Sequence, residues 1–461
     1  MRRLLYSTTL ALCLLPVAMY GQENKLSLDD CIAYALKHQA KMKNARLDQK
    51  SSLARNKEVT GLALPNLKLS GGINYAPLVA AFDVPNFIKF GVIGTGRGDN
   101  LVDPSVINQN TTSPDIISLA FQPKWTTNPQ AEVSQILFDP GVMVALQARK
   151  RLEELAQKSL DLTEEQLRVA VIKAYYNVLI AEKRKGLLDQ NVTRITQLEK
   201  ETKAIFETGF AEKLDVDRVT IALTNLKTEE NRVKQLVDLT YMALKFQIGM
   251  PLDRLISLTD TLSDSYIDKE ILTHSLDFEK RKEFQLMQIQ NKLYRYDLKR
   301  YKLGGLPTLV AFGNYGYTMF NSKNLFDDAD KWQRSALLGI KLTIPVFDGM
   351  QRRNKMLQSK YALEKNENDI ENLKYALEME KESARISFES NISSLDNQRK
   401  NMKLAEEVYH TSQIKYKEGI GSNLEVMNAE SALKEAQTNY FSALYDVINT
   451  RIDLQKALGE L

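Results

Sequence analysis

The residues that could do chemistry are few and scattered. His38, His274 and His410 could each move a proton or bind a metal, but they lie far apart and each sits within helical pattern. They read as surface or packed histidines, and no Cys/His spacing suited to a metal accompanies them. The run from Gly91 to Gly98 has the glycine density of a phosphate loop. No strand–turn–helix frame surrounds it and no Lys-Ser/Thr follows, so it reads as a surface loop. There is no Gly-x-Ser-x-Gly nucleophile elbow. Cys31 falls on one face of a helical segment, Leu28 to Leu36, and reads as a small packed residue rather than a reactive thiol. The carboxylates are spread along helix faces as solvated charge. The chain is expected not to be an enzyme and to need no cofactor and no metal.

Composition narrows the class further. A formal charge of +4 over 461 residues, without a Lys/Arg cluster, is no nucleic-acid footprint. Residues 1–21 read as a secretory signal: Arg2 and Arg3, a mostly apolar Leu4 to Val17, then small residues before Gln22. Leu12 before Cys13, where a lipidation motif wants a small residue, argues against lipidation there. With that segment removed, Cys31 has no partner for an intrachain disulfide.

The elements that position everything else come in two copies. Phe138-Asp139-Pro140-Gly141 opens a long helical pattern that runs to Gly209, and Phe347-Asp348-Gly349-Met350 opens another that runs to Gly419. The offset between copies is 209 at the first pair and 210 at the second, and a self-similarity this long is a duplication. Phe388, Leu395, Met402, Tyr409 and Tyr416 recur every seven residues in the second copy, the signature of helices packed side by side. Helices are expected over about 142–208, 213–248, 350–418 and 424–458, and also over 26–60 and 268–303. Ser27 is placed to cap the first of these, and Leu64-Pro65 and Leu306-Pro307 mark stops.

Between the helices lie strands, at about 66–75 and 130–138 in the first copy and 308–317 and 336–347 in the second. Leu67, Leu69, Ile73 and Tyr75 share one parity, and Lys68, Ser70 and Asn74 the other, so one face is apolar. Pro345 is expected where strand gives way to helix. Residues 76–125 show no sustained period and read as a long loop. Such strands have the length that crosses a membrane when tilted, roughly 9–11 residues, but four cannot close a barrel. Either partner chains complete it, or the sheet is soluble and packs on helices.

The tandem copies, the Leu-Pro before each first strand, the Phe-Asp turns, and the turns Gly209 to Val216 and Gly419 to Val426 resemble the TolC-type outer membrane efflux proteins. The resemblance spans almost the whole chain after residue 21. It implies a mainly helical fold with a membrane β-barrel, a homotrimer whose twelve strands form the barrel and whose twelve helices form a periplasmic tunnel. Residues 22–250 would be the first outer-membrane-efflux repeat and 251–461 the second. Loops 76–125 and 318–334 would face outside, and residues 22–30, 250–275 and the C-terminus would form a belt around the tunnel. The function implied is a passive exit duct for small molecules or polypeptides in the outer membrane. A periplasmic adaptor and an inner-membrane pump would be its partners, and outer-membrane lipid its surroundings. A soluble periplasmic coiled-coil scaffold or adaptor is the alternative.

The resemblance also points to a gate at the far end of the tunnel. Tyr416 matches the family's tyrosine and Glu425 its first acid, whereas Asn428 stands where a second acid would be and Gly421 where an arginine would be. In the first copy Asp215 and Asp217 are acidic at the equivalent turn, with Arg218 opposite Asn428. Three copies of an acid around an axis would attract cations. Alternatively, Glu425 and Asp215 are helix N-terminal acids that favour the dipole. Gly209 and Gly419 break the helices, and Leu214, Leu424 and Val426, with Gly421, are the expected adaptor contacts.

Overall fold

A computed structural model describes residues 24–85, 116–120, 123–262, 269–321 and 332–461. The expected signal segment and the Gly91–Gly98 run lie outside these residues, as do most of the 76–125 loop and part of 318–334. The element order is β1 (Asn24–Leu26), α1 (Leu28–His38), α2 (Ala40–Gly61), β2 (Asn66–Ser70), β3 (Ile73–Tyr75), β4 (Ala81–Pro85), β5 (Ile116–Ala120), β6 (Trp125–Thr127), β7 (Gln130–Phe138), α3 (Pro140–Glu207) and α4 (Lys213–Ile248). It continues with β8 (Ile256–Leu258), two short 3₁₀ turns (Glu270–Thr273 and Phe278–Lys280), α5 (Lys282–Leu303), β9 (Thr308–Asn321), β10 (Gln333–Thr343), α6 (Gln351–Lys417) and α7 (Asn423–Leu458). Contacts divide the chain into two units: residues 1–56, 149–295 and 359–461, and residues 57–148 and 296–358.

The first unit is helical. Ser27 caps α1 as its position suggests: its Oγ accepts from the Asp30 N–H at 3.2 Å, and Asp30 returns the favour to the Ser27 N–H at 3.1 Å. The expected single helix over 26–60 is two, because Gln39 is extended (ψ 131°). Its amide instead donates to the carbonyls of Phe246 and Gln247 at the end of α4. Gly249 makes that approach possible, since a Cβ there would lie 2.8 Å from the Gln39 Cα. The expected helix over 268–303 likewise begins only at Lys282. Before it the chain makes short turns, one capped by Asp277, which bury Ile271. Within residues 250–275, β8 pairs in parallel with β1, so two of the segments expected in the belt are joined.

The long helices carry the apolar period inward. Phe388, Leu395 and Tyr409 of the seven-residue stripe are buried, as are Val171, Val178, Ile195 and Leu198 of α3. At 1.5 Å per residue, the 68 residues of α3 and 67 of α6 each extend ~100 Å. Asn191 Nδ2 donates to Gln437 Oε1 at 2.6 Å in the interior, fixing α3 against α7 with a satisfied polar pair.

The second unit is built on an antiparallel sheet. β2 pairs β7, β7 pairs β9 and β9 pairs β10; the far end of β9 also pairs β6, which pairs β3. The expected strand 66–75 is therefore two pieces, parted at Gly71-Gly72, where Asn128 crowds close. β10 stops at Thr343, so Pro345 falls beyond the ladder, at the strand-to-helix passage as its missing N–H requires. The hairpin of β4 and β5 gave no periodic signal in the sequence. Register sets Leu67 beside Val133, Val133 beside Gly313, and Gly313 beside Leu338. Leu67, Leu69, Ile73, Val133, Leu338, Ile340 and Leu342 thus share one face, and all are exposed. Lys68, Glu132 and Asn314 are aligned on the other.

Candidate functional site

Two helical hairpin turns lie in the first unit, Thr208–Glu212 between α3 and α4 and Glu418–Ser422 between α6 and α7. Both are made the same way. Gly209 has φ +81° and Gly419 φ +75°, a left-handed conformation that suits glycine. Beyond each, a backbone N–H reaches back across the last turn: Phe210 to the Ile205 carbonyl and Ile420 to the Lys415 carbonyl, both at 3.0 Å. These bonds satisfy carbonyls that the ending helix would leave without partners.

Side chains then tie the turns together. Leu188, Ile195 and Leu198 of α3, Val219, Leu223, Leu226 and Val233 of α4, Tyr409 of α6, and Val426, Ala429 and Leu433 of α7 form one apolar cluster. Lys417 Nζ lies 3.0 Å from the Glu201 carboxylate, joining α6 to α3. Burial alone would raise the Glu201 carboxyl, but hydrogen bonds from Gln197 and Lys417 outweigh it and hold it below the usual range. Thr220 Oγ1 donates to Glu199 at 2.9 Å, joining α4 to α3. Asn423 Nδ2 donates to the Asp215 carbonyl at 3.3 Å, joining α7 to α4.

The predicted residues divide within this frame. Asp215 is a helix-end acid: its Oδ2 accepts from the Glu212 N–H at 3.4 Å and its Oδ1 lies 3.5 Å from Arg218. Glu425 occupies the same position on α7, but there Ser422 does the capping, accepting from the Glu425 N–H at 3.2 Å. The Glu425 carboxylate is exposed, as are Asp217 and Asn428. Tyr416 packs its ring on the cluster while its buried hydroxyl meets no hydrogen-bond partner within the described residues. The same holds for Tyr409, over whose ring the Arg194 guanidinium sits at 5.3 Å.

Leu214 and Leu424 are exposed at the starts of α4 and α7. Val426 is not available as a contact: it is 1% exposed, because it points into the cluster that holds the turns together. Gly421 serves the turn itself, since a Cβ there would lie 2.9 Å from Lys415 Cβ and 3.1 Å from the Tyr416 nitrogen. Two residues not singled out in the sequence complete the exposed apolar set, Phe210 (89% exposed) and Ile420 (78%). Their signal was there to read, an apolar residue directly after each helix-breaking glycine.

No arrangement for covalent chemistry appears among the described residues, and no group of three His, Cys, Asp or Glu there could hold a metal. His38 stacks on Tyr34 at 4.2 Å and His274 Nδ1 lies 2.8 Å from Glu460. Burial, then the charges of Asp30 and Asp260, push the Cys31 thiol up to about 12, far from the thiolate that reactivity needs. What the site can do is present exposed side chains, Phe210, Leu214, Ile420, Leu424 and Glu425 among them, at the ends of paired helices. No helix among the described residues is long and apolar enough to cross a membrane.

Residues 279–460 match the family described as outer membrane efflux protein. The outer membrane protein TolC of Vibrio cholerae serotype O1 is 20% identical over 330 residues, 71% of this chain and 75% of that protein. Among solved structures, the outer membrane protein VceC of Vibrio cholerae superposes with a TM-score of 0.69 at 14% identity, covering 94% of this chain and 96% of that one. CusC superposes with a TM-score of 0.71 at 13% identity, covering 96% and 95%.

Proposed function

The chain belongs to the TolC-type outer membrane efflux proteins, and from that premise we propose that it is the outer-membrane exit duct of a tripartite efflux or type I secretion system. The observation that carries this reading is the sheet of the second unit. One face of it carries exposed apolar residues on each strand, Leu67 and Leu69 of β2, Val133 of β7, Tyr315 of β9 and Leu338, Ile340 and Leu342 of β10, and β2 and β10 each pair on one side only. A single chain leaves those edges open, a state that proteins avoid. Three copies would join edge to edge into a twelve-stranded barrel with the apolar face to lipid and the Lys68, Glu132 and Asn314 face to the lumen.

The helices then supply the tunnel. α3 and α6, of 68 and 67 residues, and α4 and α7, of 36 each, support a division into two repeats, residues 22–250 and 251–461. The hairpin turns at Gly209 and Gly419 are its periplasmic end. There Glu425 and Asp217 line the constriction, Tyr416 helps to latch it, and Phe210, Leu214, Ile420 and Leu424 meet a periplasmic adaptor. The cargo passes without chemical change, so energy comes from an inner-membrane pump.

The test is reconstitution in a planar bilayer. The purified protein should open discrete, long-lived conductance steps. Extraction from membranes without detergent, or absence of conductance from correctly assembled protein, would overturn the reading and favour a soluble scaffold.

A further inference from the structure

The two passages from strand to helix differ, and the second has room for a ligand. β7 ends at Phe138 and α3 begins at Pro140, whereas β10 ends at Thr343 and α6 begins only at Gln351. The longer passage closes through two successive left-handed residues, Gly349 (φ +62°) and Met350 (φ +66°). Methionine rarely adopts that conformation, and such strain persists where the surroundings impose it, often at sites of function. Its result is an open-sided pocket of about 290 Å³ lined by Tyr301, Lys302, Phe347, Asp348, Arg352 and Arg353 among others.

Resting on the outer-membrane reading above, we propose that this pocket binds the head group of an acidic phospholipid in the periplasmic leaflet. Charge is the first reason. Lys302, Arg352 and Arg353 share the lining with one carboxylate, that of Asp348, which accepts from the backbone N–H of Arg352 at 3.0 Å. The Arg352 guanidinium lies against Gly305, where a Cβ would come within 2.6 Å of Nη1, so the glycine leaves open the space that the cation occupies. Cations so arranged suit a phosphodiester. The apolar rim is the second reason. Val346 is 90% exposed, Phe347 78% and Met350 52%, whereas Phe138 in the first passage is half-buried. Ile344 (55% exposed) and Val346 follow Leu338, Ile340 and Leu342 in the chain just past the end of β10, so exposed apolar side chains run from the face assigned to lipid to the rim. A free phosphate would need the cations but not the rim, and a zwitterionic lipid brings its own cation to meet them.

The experiment is native mass spectrometry of the full-length protein in detergent, titrated with phosphatidylglycerol or phosphatidylethanolamine. Each basic group near a membrane surface favours acidic lipid several-fold, so phosphatidylglycerol should be retained at least about tenfold more strongly. Lys302→Gln with Arg353→Gln should abolish that preference while conductance in a planar bilayer is unchanged. Equal retention of the two lipids would overturn the proposal, as would a preference that survives in the double variant. So would displacement of the lipid by inorganic phosphate at low concentration, or a double variant that loosens the association of copies without changing lipid preference. Failure of the outer-membrane reading would look different, since the protein would then leave the membrane without detergent.

Discussion

Asn423 donates its amide to the backbone carbonyl of Asp215 at 3.3 Å, so the first turn of α7 is fastened to the first turn of α4. Asn423 is almost wholly buried and its Oδ1 has no partner within the described residues, so the fastening is a single bond. Asn423→Ala should cost ~1–2 kcal/mol locally, the worth of one buried hydrogen bond with its amide deleted. Hydrogen exchange checks this. Amides of residues 213–217 should exchange faster in the variant while the middle of α4 stays protected. Unchanged exchange at 213–217 would show that the apolar cluster alone holds the turns.

The two glycines of the second turn make different demands. Gly419 has a positive φ but open space around it, so Gly419→Ala carries the left-handed penalty alone, ~1 kcal/mol. Gly421 has no positive φ but no room, with backbone and Cβ of Lys415 and Tyr416 at about 3 Å from any added Cβ. Gly421→Ala should therefore displace the end of α6 and disturb the turn more than Gly419→Ala does. Limited trypsin cleavage after Lys415 and Lys417 reads this, and faster cutting is expected in Gly421→Ala. Gly421→Arg would restore the side chain that the family resemblance calls for, but it should disturb the turn at least as much.

Glu425 and Asp215 sit at matching positions, yet only one has its charge to spare. Asp215 is engaged by the Glu212 N–H and Arg218, whereas capping at Glu425 falls to Ser422. Glu425→Gln should lower the cation preference of the reconstituted pore, seen as a reversal potential closer to zero under a salt gradient. Asp215→Asn should change selectivity less and stability of α4 more, by ~0.5–1 kcal/mol for a lost helix-end acid. Equal shifts from both variants would contradict the division.

How far the sequence could be read depended on what sets each feature. The long helices were legible because a period sustained over tens of residues, as at Phe388, Leu395 and Tyr409, has one physical explanation. Their ends were legible because Gly209 and Gly419 adopt a conformation few other residues tolerate. The break at Gln39 was not, because nothing local forbids helix there; the break is stabilised by carbonyls of α4 over 200 residues away in the chain. The late start of α5 has the same origin, with Arg281 held by groups remote in sequence. At the turns, residue type could nominate Val426 as a contact but could not tell which way it points. Its neighbour Leu424 is exposed and Val426 is buried, a difference set by helix phase against three other helices.

Arg281 supports the last prediction. It is 1% exposed, donating Nη1 to the Ala457 carbonyl and Nη2 to Glu380, both at 2.8 Å, while Lys456 reaches the other oxygen of Glu380 at 3.0 Å. Burial alone would raise the Glu380 carboxyl, but the hydrogen bonds from Lys456 and Arg281 outweigh it and hold it below the usual range. Replacing Arg281 by Met leaves Glu380 to Lys456 alone and the Ala457 carbonyl without its buried donor, which should cost ~1–3 kcal/mol at neutral pH. A lowered folded-state pKa means that the network stabilises fully above the unfolded value, ~4.3, and loses its contribution as pH falls through the folded one. The cost of Arg281→Met should therefore shrink only as pH falls below the ordinary glutamate value and on through the lowered folded-state one. Nearby Glu165 has the opposite sign: burial, then the charge of Glu283, raise its carboxyl, and its buried Oε1 lacks a partner within the described residues. The stability it contributes is full below ~4.3 and lost as pH rises through its higher folded-state value. Glu165→Gln should thus stabilise the protein at neutral pH and do little in acid. Denaturant unfolding in detergent, followed by helical circular dichroism as pH is lowered stepwise from 7, distinguishes the two; a Glu165→Gln that destabilises at pH 7 would show that its charge is paired after all.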